Sequence, residues 1–360
     1  MTKTIILNCN DCFAAYKFRL DLIKKLKEKY RVYVLAGFDE HTRFLKKENI
    51  DVIAVDIDNT GTRVTRELRL IMSYRKIFRK LRPDIIINYT VKPHLYVPLV
   101  APHRARIINV VTGLSSVLLE NTWRSRLVTF LYRLVSRKVD HYVFLNGDDY
   151  QFFADLKILK KSHSIIRGEG VNLENFHPYV DFSMSPTFIF VGRLVKEKGV
   201  REYLEAAEII KRRFPETRFL IAGAFYHKHS AIDRELIRRY ERKGIVKYLG
   251  YCHDINVVLR GVHCVVLPSY REGLPISLIE GLASKKVIIA ADTAGSRDVV
   301  VDGYNGFLSV VGSSYDLASK IEAYLFARNK EELHANALAT ARQYDVAIAI
   351  REMQRIIEGV

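Results

Sequence analysis

Apolar residues in this chain fall into short β-branched runs, and between the runs they take helical spacing. In the first half, runs at residues 4–9, 31–36, 51–55, 84–89, 106–111, 140–145 and 164–167 predict strands, while 14–29, 40–48, 63–81, 122–138 and 148–156 predict helices. Ile85, Ile86 and Ile87 are apolar at successive positions, the pattern of a parallel strand covered by helices on both faces. After a polar stretch at 181–186 the pattern restarts, with strands predicted at 187–191, 218–222, 246–249, 264–267, 287–290 and 306–309. Helices are predicted at 200–213, 231–243, 276–284 and 315–326, and a helical tail at 345–358. Such alternation means βαβ units. The expectation is an α/β protein of two Rossmann-like doubly wound domains facing a cleft, at 1–165 and 187–342, with a linker region at 166–186 and a terminal helical segment at 343–360.

A chain of 360 residues is too long for one ordinary core, and 49% hydrophobic with 27% charged residues is a globular composition. No apolar run approaches the about 18 residues of a membrane-spanning helix. The N-terminal residues enter a strand-like run without the apolar stretch of a signal peptide, so a cytoplasmic protein is expected. Four cysteines, Cys9, Cys12, Cys252 and Cys264, are too scattered for a disulfide framework. Cys9 and Cys12 have C-x-x-C spacing, but no second close pair follows to complete a zinc site, and a strand end running into a loop is expected there. The net charge of +17 is unevenly placed: residues 1–165 hold 30 Lys and Arg against 16 Asp and Glu, whereas the remainder holds 27 against 24. That asymmetry points to a polyanionic partner, a membrane surface or a nucleic acid.

The second half carries the chemistry. Gly192, Arg193, Lys198 and Gly199 follow a predicted strand and precede a helix, and loops past the carboxyl ends of such strands bind ligands. Arg193 offers a planar fork and Lys198 a mobile point charge, the two cations a diphosphate needs. Glu272, Gly273, Leu274 and Pro275 again lie between a strand and a helix. Gly273 permits close backbone approach, Pro275 suits the first helical turn, and the helix start is an anion site. Glu280 can accept two bonds from a ribose diol, and Glu272 is placed to reach a transferred sugar.

Gly192-Arg193-Leu194 with Lys198-Gly199, followed about eighty residues later by Glu272-Gly273-Leu274-Pro275 and Glu280, resembles the retaining GT-B glycosyltransferases with a Glu-x7-Glu motif. Ala222-Gly223, Leu249-Gly250-Tyr251, Gly295-Ser296-Arg297-Asp298 and Asp302-Gly303-Tyr304-Asn305-Gly306 extend the resemblance over the second domain. It implies that Arg193 and Lys198 hold the donor diphosphate, Glu280 the ribose and Glu272 the donor sugar, with Gly250 and Tyr251 along the base. It also implies a terminal helix that returns to the first domain.

Tyr16-Lys17-Phe18-Arg19, Asn88-Tyr89-Thr90-Val91-Lys92-Pro93 and Thr112-Gly113-Leu114-Ser115-Ser116 resemble bacterial members that extend polyprenyl-diphosphate-linked sugars in capsule, O-antigen, lipopolysaccharide or N-glycan assembly. The resemblance implies a UDP-sugar donor, a hexose or N-acetylhexosamine transferred with retention, and acceptor contacts at Arg19, Lys92, His94, Thr112 and Gly113. The first loop, 8–15, lacks the Gly-Gly pair usual there, and no His stands at Thr112, where relatives place one facing the donor sugar. Residues 121–138 hold the only Trp and five cations among apolar residues, so Trp123, Arg124 and Arg126 are expected at the inner face of a cell membrane. Asp56 and Asp58 match a metal-binding D-x-D, and Asp148 with Asp149 looks similar, with a helix cap expected at Asp148. Since Arg193 and Lys198 would neutralise the diphosphate, no metal or other cofactor is expected. The alternatives are a nucleotide-sugar 2-epimerase and a basic nucleic-acid-binding protein.

Overall fold

A computed structural model describes residues 2–57, 63–120, 122–225 and 231–359, apart from the side chain of Ser116. The chain divides into two compact units, Met1–Glu169 with Val346–Val360, and Gly170–Asp345. Among the described residues, the first unit holds strands β1 (Thr4–Asp11), β2 (Arg31–Gly37), β3 (Asp51–Ala54), β4 (Ile85–Asn88), β5 (Arg106–Val111), β6 (His141–Phe144) and β7 (Ser162–Ile165). They pair in parallel in the order β3-β2-β1-β4-β5-β6-β7. Parallel crossovers are right-handed, so reversing the direction of strand addition moves the helices to the other face. Helices Cys12–Lys27 and Thr42–Lys47 therefore cover one face, and Val64–Leu81, Val91–Val100, Trp123–Val135 and Gly147–Asp155 the other. Leu70, Tyr74 and Phe78 on the first of these four pack over β1, β2 and β4, and Tyr132, Val135 and Phe153 pack over β5 and β6. Helix Val346–Glu358 packs against Cys12–Lys27.

Three asparagines fix the register at the centre of this sheet. Asn8, Asn88 and Asn109 are fully buried, and they are in-register partners across β1, β4 and β5. Asn8 donates to Asn88 at 2.7 Å, and Asn88 donates to Asn109 at 2.9 Å. A one-residue slip would break both bonds and bury unpaired amides.

The second unit holds β8 (Thr187–Val191), β9 (Arg218–Ala222), β10 (Lys247–Gly250), β11 (Cys264–Leu267), β12 (Val287–Ala291) and β13 (Gly306–Ser309), parallel in the order β10-β9-β8-β11-β12-β13. Here the switch point is at β8, between β9 and β11. Residues 166–169 belong to the first unit and 170–186 to the second. The polar stretch 181–186 is strapped down and is no free tether. The His263 ring bonds the Asp181 carbonyl at 3.0 Å, Lys286 donates to the Tyr179 carbonyl, and Phe182 packs on His263 and His334.

Helices at Val91–Val100 and Lys330–Ala341 had no counterpart in the sequence reading. The first is apolar on every side and contains Pro98, so it shows no helical stripe. The buried side of the second is Leu333, His334, Ala337, Thr340 and Ala341, too weakly apolar to mark a face. Strand β7 begins at Ser162, two residues before the predicted start. It is an edge strand whose Ser162 and Ser164 hydroxyls bond the His141 ring at 2.8 and 2.9 Å, so polar residues occupy it.

Replacing Asn88 by Ala should leave the Asn8 amide and the Asn109 oxygen unpaired and lower the stability of the first unit by about 2–4 kcal/mol. Denaturant unfolding followed by a first-unit probe would show this as an earlier midpoint.

Candidate functional site

In open α/β sheets the switch point is where ligands bind, and in the second unit two loops meet there. The first runs from Gly192 at the end of β8 to Gly199, which starts helix Val200–Arg213 with a left-handed φ of 70°. A Cβ on Gly199 would lie 2.0 Å from the Pro268 carbonyl oxygen, so only glycine lets this turn approach the second loop so closely. The second loop runs from Pro268 at the end of β11 to helix Ile276–Ala283. Pro275 is the residue just before that helix, one position earlier than the first-turn placement expected for it.

Three further contacts join these two segments. The Tyr270 amide donates to the Glu197 carbonyl at 2.8 Å, and the Tyr270 hydroxyl donates to Glu202 at 2.6 Å. Lys198 Nζ meets Glu272 Oε1 at 2.5 Å, the two side chains being 21% and 9% exposed. Helix Ala294–Val299 closes the far side, where a Cβ on Gly295 would lie 2.4 Å from the Gly273 carbonyl oxygen. Arg193 is exposed at the same edge, Leu274 and Pro275 are buried, and Glu280 is buried in the second turn of its helix. The first turn of Ile276–Ala283 points its amides toward the loop, which with Arg193 and Lys198 makes an electropositive edge.

Beside this edge Gly192, Gly223 and Gly250 end three neighbouring strands, with Gly192 donating to the Ala222 carbonyl at 3.0 Å and Gly223 to the Gly250 carbonyl at 2.8 Å. Past them opens a concavity of about 480 Å³ lined by Phe225, Tyr248, Tyr251, Arg234 and Arg238 among others. Phe225 meets Tyr248 edge to face at 5.2 Å, and Tyr251 is exposed. The pocket is wide enough for a planar ring system.

In the first unit the acceptor candidates separate. Arg19 is 5% exposed, ion-paired to Glu169 at 2.8 Å and stacked 3.9 Å over the Tyr89 ring, so it is a core cation and no exposed phosphate contact. His94 is also buried, with its ring nitrogens 3.1 Å from the Tyr132 hydroxyl and from the Asn88 carbonyl. Burial lowers its pKa to about 4, and it packs where a substrate contact had been expected. Lys92 pairs with Glu67 at 2.5 Å, while Thr112 and Gly113 follow β5 at the carboxyl edge, half-buried. Trp123, Arg124 and Arg126 are exposed, with Arg124 5.7 Å over the Trp123 ring.

Residues 8–15 form no loop: β1 runs through Cys9 to Asp11, whose carboxylate caps helix Cys12–Lys27 by accepting from the Ala14 amide at 2.8 Å. Burial pushes the Cys9 thiol up to about 12. The cap expected at Asp148 is Asn146, which accepts from the Asp149 amide at 2.7 Å and so starts the helix two residues earlier. Asp56 bonds Arg66 at 3.2 Å, and Asp58 lies outside the described residues, as does Asn121. Among the described residues no cluster of three or more His, Cys, Asp or Glu could hold a metal, and no helix is long and apolar enough to cross a membrane.

Two family models cover most of the chain: glycosyl transferases group 1 over residues 173–343, and glycosyl transferase 4-like over residues 10–146. The chain belongs to these glycosyltransferases. A curated relative from Campylobacter jejuni, N,N'-diacetylbacillosaminyl-diphospho-undecaprenol alpha-1,3-N-acetylgalactosaminyltransferase, is 27% identical over 96% of both chains. An Escherichia coli UDP-Gal:alpha-D-GlcNAc-diphosphoundecaprenol alpha-1,3-galactosyltransferase is 24% identical over 68% of this chain and 66% of its own. Among solved structures, HepE of Anabaena in complex with UDP superposes with a TM-score of 0.81 at 18% identity, covering 99% of this chain and 100% of that one. The sucrose-phosphate synthase of Thermosynechococcus elongatus gives 0.81 at 16% identity, over 99% and 98%. The fold is GT-B. Neither the epimerase nor the nucleic-acid alternative finds support in these likenesses.

The transferase's Tyr270, Glu202 and Glu197 escaped sequence reading, because a loop tyrosine and two helical glutamates next to lysines and arginines look like ordinary surface residues. Its His94 gives a pH prediction. The unfolded chain takes up this proton near pH 6.5 and the folded one only near 4, so the neutral ring's contribution is complete above pH 6.5 and is lost as pH falls toward 4. In His94→Gln the first unit should lose less stability over that window, by up to ~3 kcal/mol, in unfolding midpoints measured at each pH.

Proposed function

We propose that this glycosyltransferase moves a hexose or N-acetylhexosamine from a UDP-sugar to a polyprenyl-diphosphate-linked sugar, with retention and without a divalent ion. The observation that carries the reading is the Lys198–Glu272 contact, set beside Arg193 and the start of helix Ile276–Ala283 at the switch point. As the bond from the anomeric carbon to the diphosphate oxygen breaks, its electron pair leaves with the diphosphate. Arg193, Lys198 and the Gly273–Leu274 backbone meet that growing charge. The acceptor hydroxyl oxygen bonds the anomeric carbon, and its proton goes to the departing phosphate. Glu272 positions Lys198 before the donor arrives and then faces the sugar hydroxyls. Glu280 takes the ribose diol, and the concavity beside Gly223, Gly250 and Tyr251 takes the base.

The UDP donor is favoured by the HepE complex and by the donor named for the Escherichia coli relative. The lipid-diphosphate acceptor is favoured by the acceptors named for both bacterial relatives, and Lys92, Thr112 and Gly113 are its candidate contacts. Retention rests on the Glu-x7-Glu resemblance.

Arg193→Ala and Lys198→Ala should each lower turnover by at least ~10²-fold with the fold intact, because their charge acts mainly on the leaving group. Near-wild-type turnover in either variant would remove the assignment. Glu280→Gln should instead raise the donor KM by roughly 10-fold and change turnover less, since the ribose bonds are made equally before and during reaction. EDTA should leave most activity in place, and full loss restored by a divalent ion would contradict the metal-free reading.

A further inference from the structure

Two helices on one face of the first unit expose apolar residues where a surface helix normally shows only polar ones. In Trp123–Val135 the inner side is Thr129, Tyr132 and Val135, and the opposite side is Trp123, Leu127, Phe130 and Leu134. Those four recur at steps of four, three and four, which is one stripe along a helix, and Trp123 and Phe130 are 69% and 60% exposed. Arg124, Arg126 and Arg133 flank the stripe, and the helix has no carboxylate.

Helix Val64–Leu81 repeats the design. It buries Leu70, Tyr74 and Phe78 and exposes Val64, Leu68 and Met72, one stripe at steps of four. Arg69, Arg75, Lys76, Arg79 and Lys80 share that outer face. Glu67, the helix's single carboxylate, turns away to bond Lys92. Helix Val91–Val100 packs against both, so the three form one layer and their outer faces point the same way, with Leu99 exposed between the stripes. Each helix begins near the carboxyl edge of the sheet, the edge that carries Lys92, Thr112 and Gly113.

We propose that the outer faces of Val64–Leu81 and Trp123–Val135 form a single docking surface that seats on an anionic bilayer. Apolar stripes framed by arginine and lysine match the acyl boundary and the negative headgroups of such a surface. A protein partner large enough to cover both stripes would meet a face whose charges are almost all of one sign. The +14 of residues 1–165 supplies the long-range attraction. Docking there brings the carboxyl edge of the sheet to the lipid surface, and it is independent of how the donor is bound.

Flotation of the purified full-length protein with vesicles tests this without donor or acceptor. Vesicles of phosphatidylcholine with phosphatidylglycerol should carry the protein, pure phosphatidylcholine should not, and added salt should release it. The pair Leu68→Gln with Met72→Gln should lower the bound fraction by roughly 10-fold, and Phe130→Gln with Leu134→Gln should do the same. Arg69→Gln with Lys76→Gln should weaken binding to anionic vesicles and make the remainder less salt-sensitive. Circular dichroism should stay unchanged throughout, since all six side chains are exposed. Wild-type binding by the Leu68/Met72 variant would overturn the two-helix surface, and equal binding to neutral and anionic vesicles would overturn the anionic bilayer. A lipid-free wild-type dimer made monomeric by either apolar pair would show that a second copy covers this face instead.

Discussion

Lys198 and Glu272 stand 74 residues apart in sequence and meet at 2.5 Å where two loops leave adjacent strands of the second sheet. A lysine side chain alone at a loop edge would sample many positions, and ordering it on ligand arrival would cost binding energy. The carboxylate holds the ammonium at the carboxyl edge of the sheet, where we propose that the diphosphate binds. The contact requires the loops to run side by side, which explains the close backbone approach at Gly199 and the pair of bonds from Tyr270 to Glu197 and Glu202. Glycine at 295 lets a third segment close on the Gly273 carbonyl. The basic edge is thus a product of backbone packing, and its side chains inherit their positions from it.

The first unit solves a related problem with neutral groups. Asn8, Asn88 and Asn109 tie three strands together near the edge from which Thr90, Thr112 and Gly113 emerge, and Thr90 adds a 2.7 Å bond to Asn10. Amides carry no charge, so they can be fully buried at little electrostatic cost, provided they pair. Much of the charge in this unit lies outside, on the helices, whereas the Arg19–Glu169 pair is enclosed under the C-terminal helix and Asp149 is buried in the first turn of its own.

Most of the fold was legible because buried parallel strands read as apolar runs, and such runs marked the start of each described strand to within two residues, with the polar edge strand β7 among the least well placed. Helices failed to register where burial removed their polar face, as at Val91–Val100, or where small residues lined it, as at Lys330–Ala341. The residue pattern singled out Arg193, Lys198, Glu272 and Glu280, and the structure brings Lys198 and Glu272 together at 2.5 Å. It misled where a residue's role depends on partners distant in sequence. Arg19 looks like any helical cation until Glu169 and Tyr89 enclose it, and His94 looks accessible until Tyr132 and Asn88 take its ring nitrogens. The outer stripe of Val64–Leu81 was hidden because leucine and methionine on a helix usually mean core.

A crystal structure of the protein with UDP would test the central claim most directly. Diphosphate oxygens are expected within hydrogen-bond distance of Arg193, Lys198 Nζ and the Gly273–Leu274 backbone, the ribose hydroxyls on Glu280, and the base in the concavity beside Tyr251. A diphosphate bound elsewhere, or one reaching carboxylates through a metal ion with Lys198 still paired to Glu272, would contradict it.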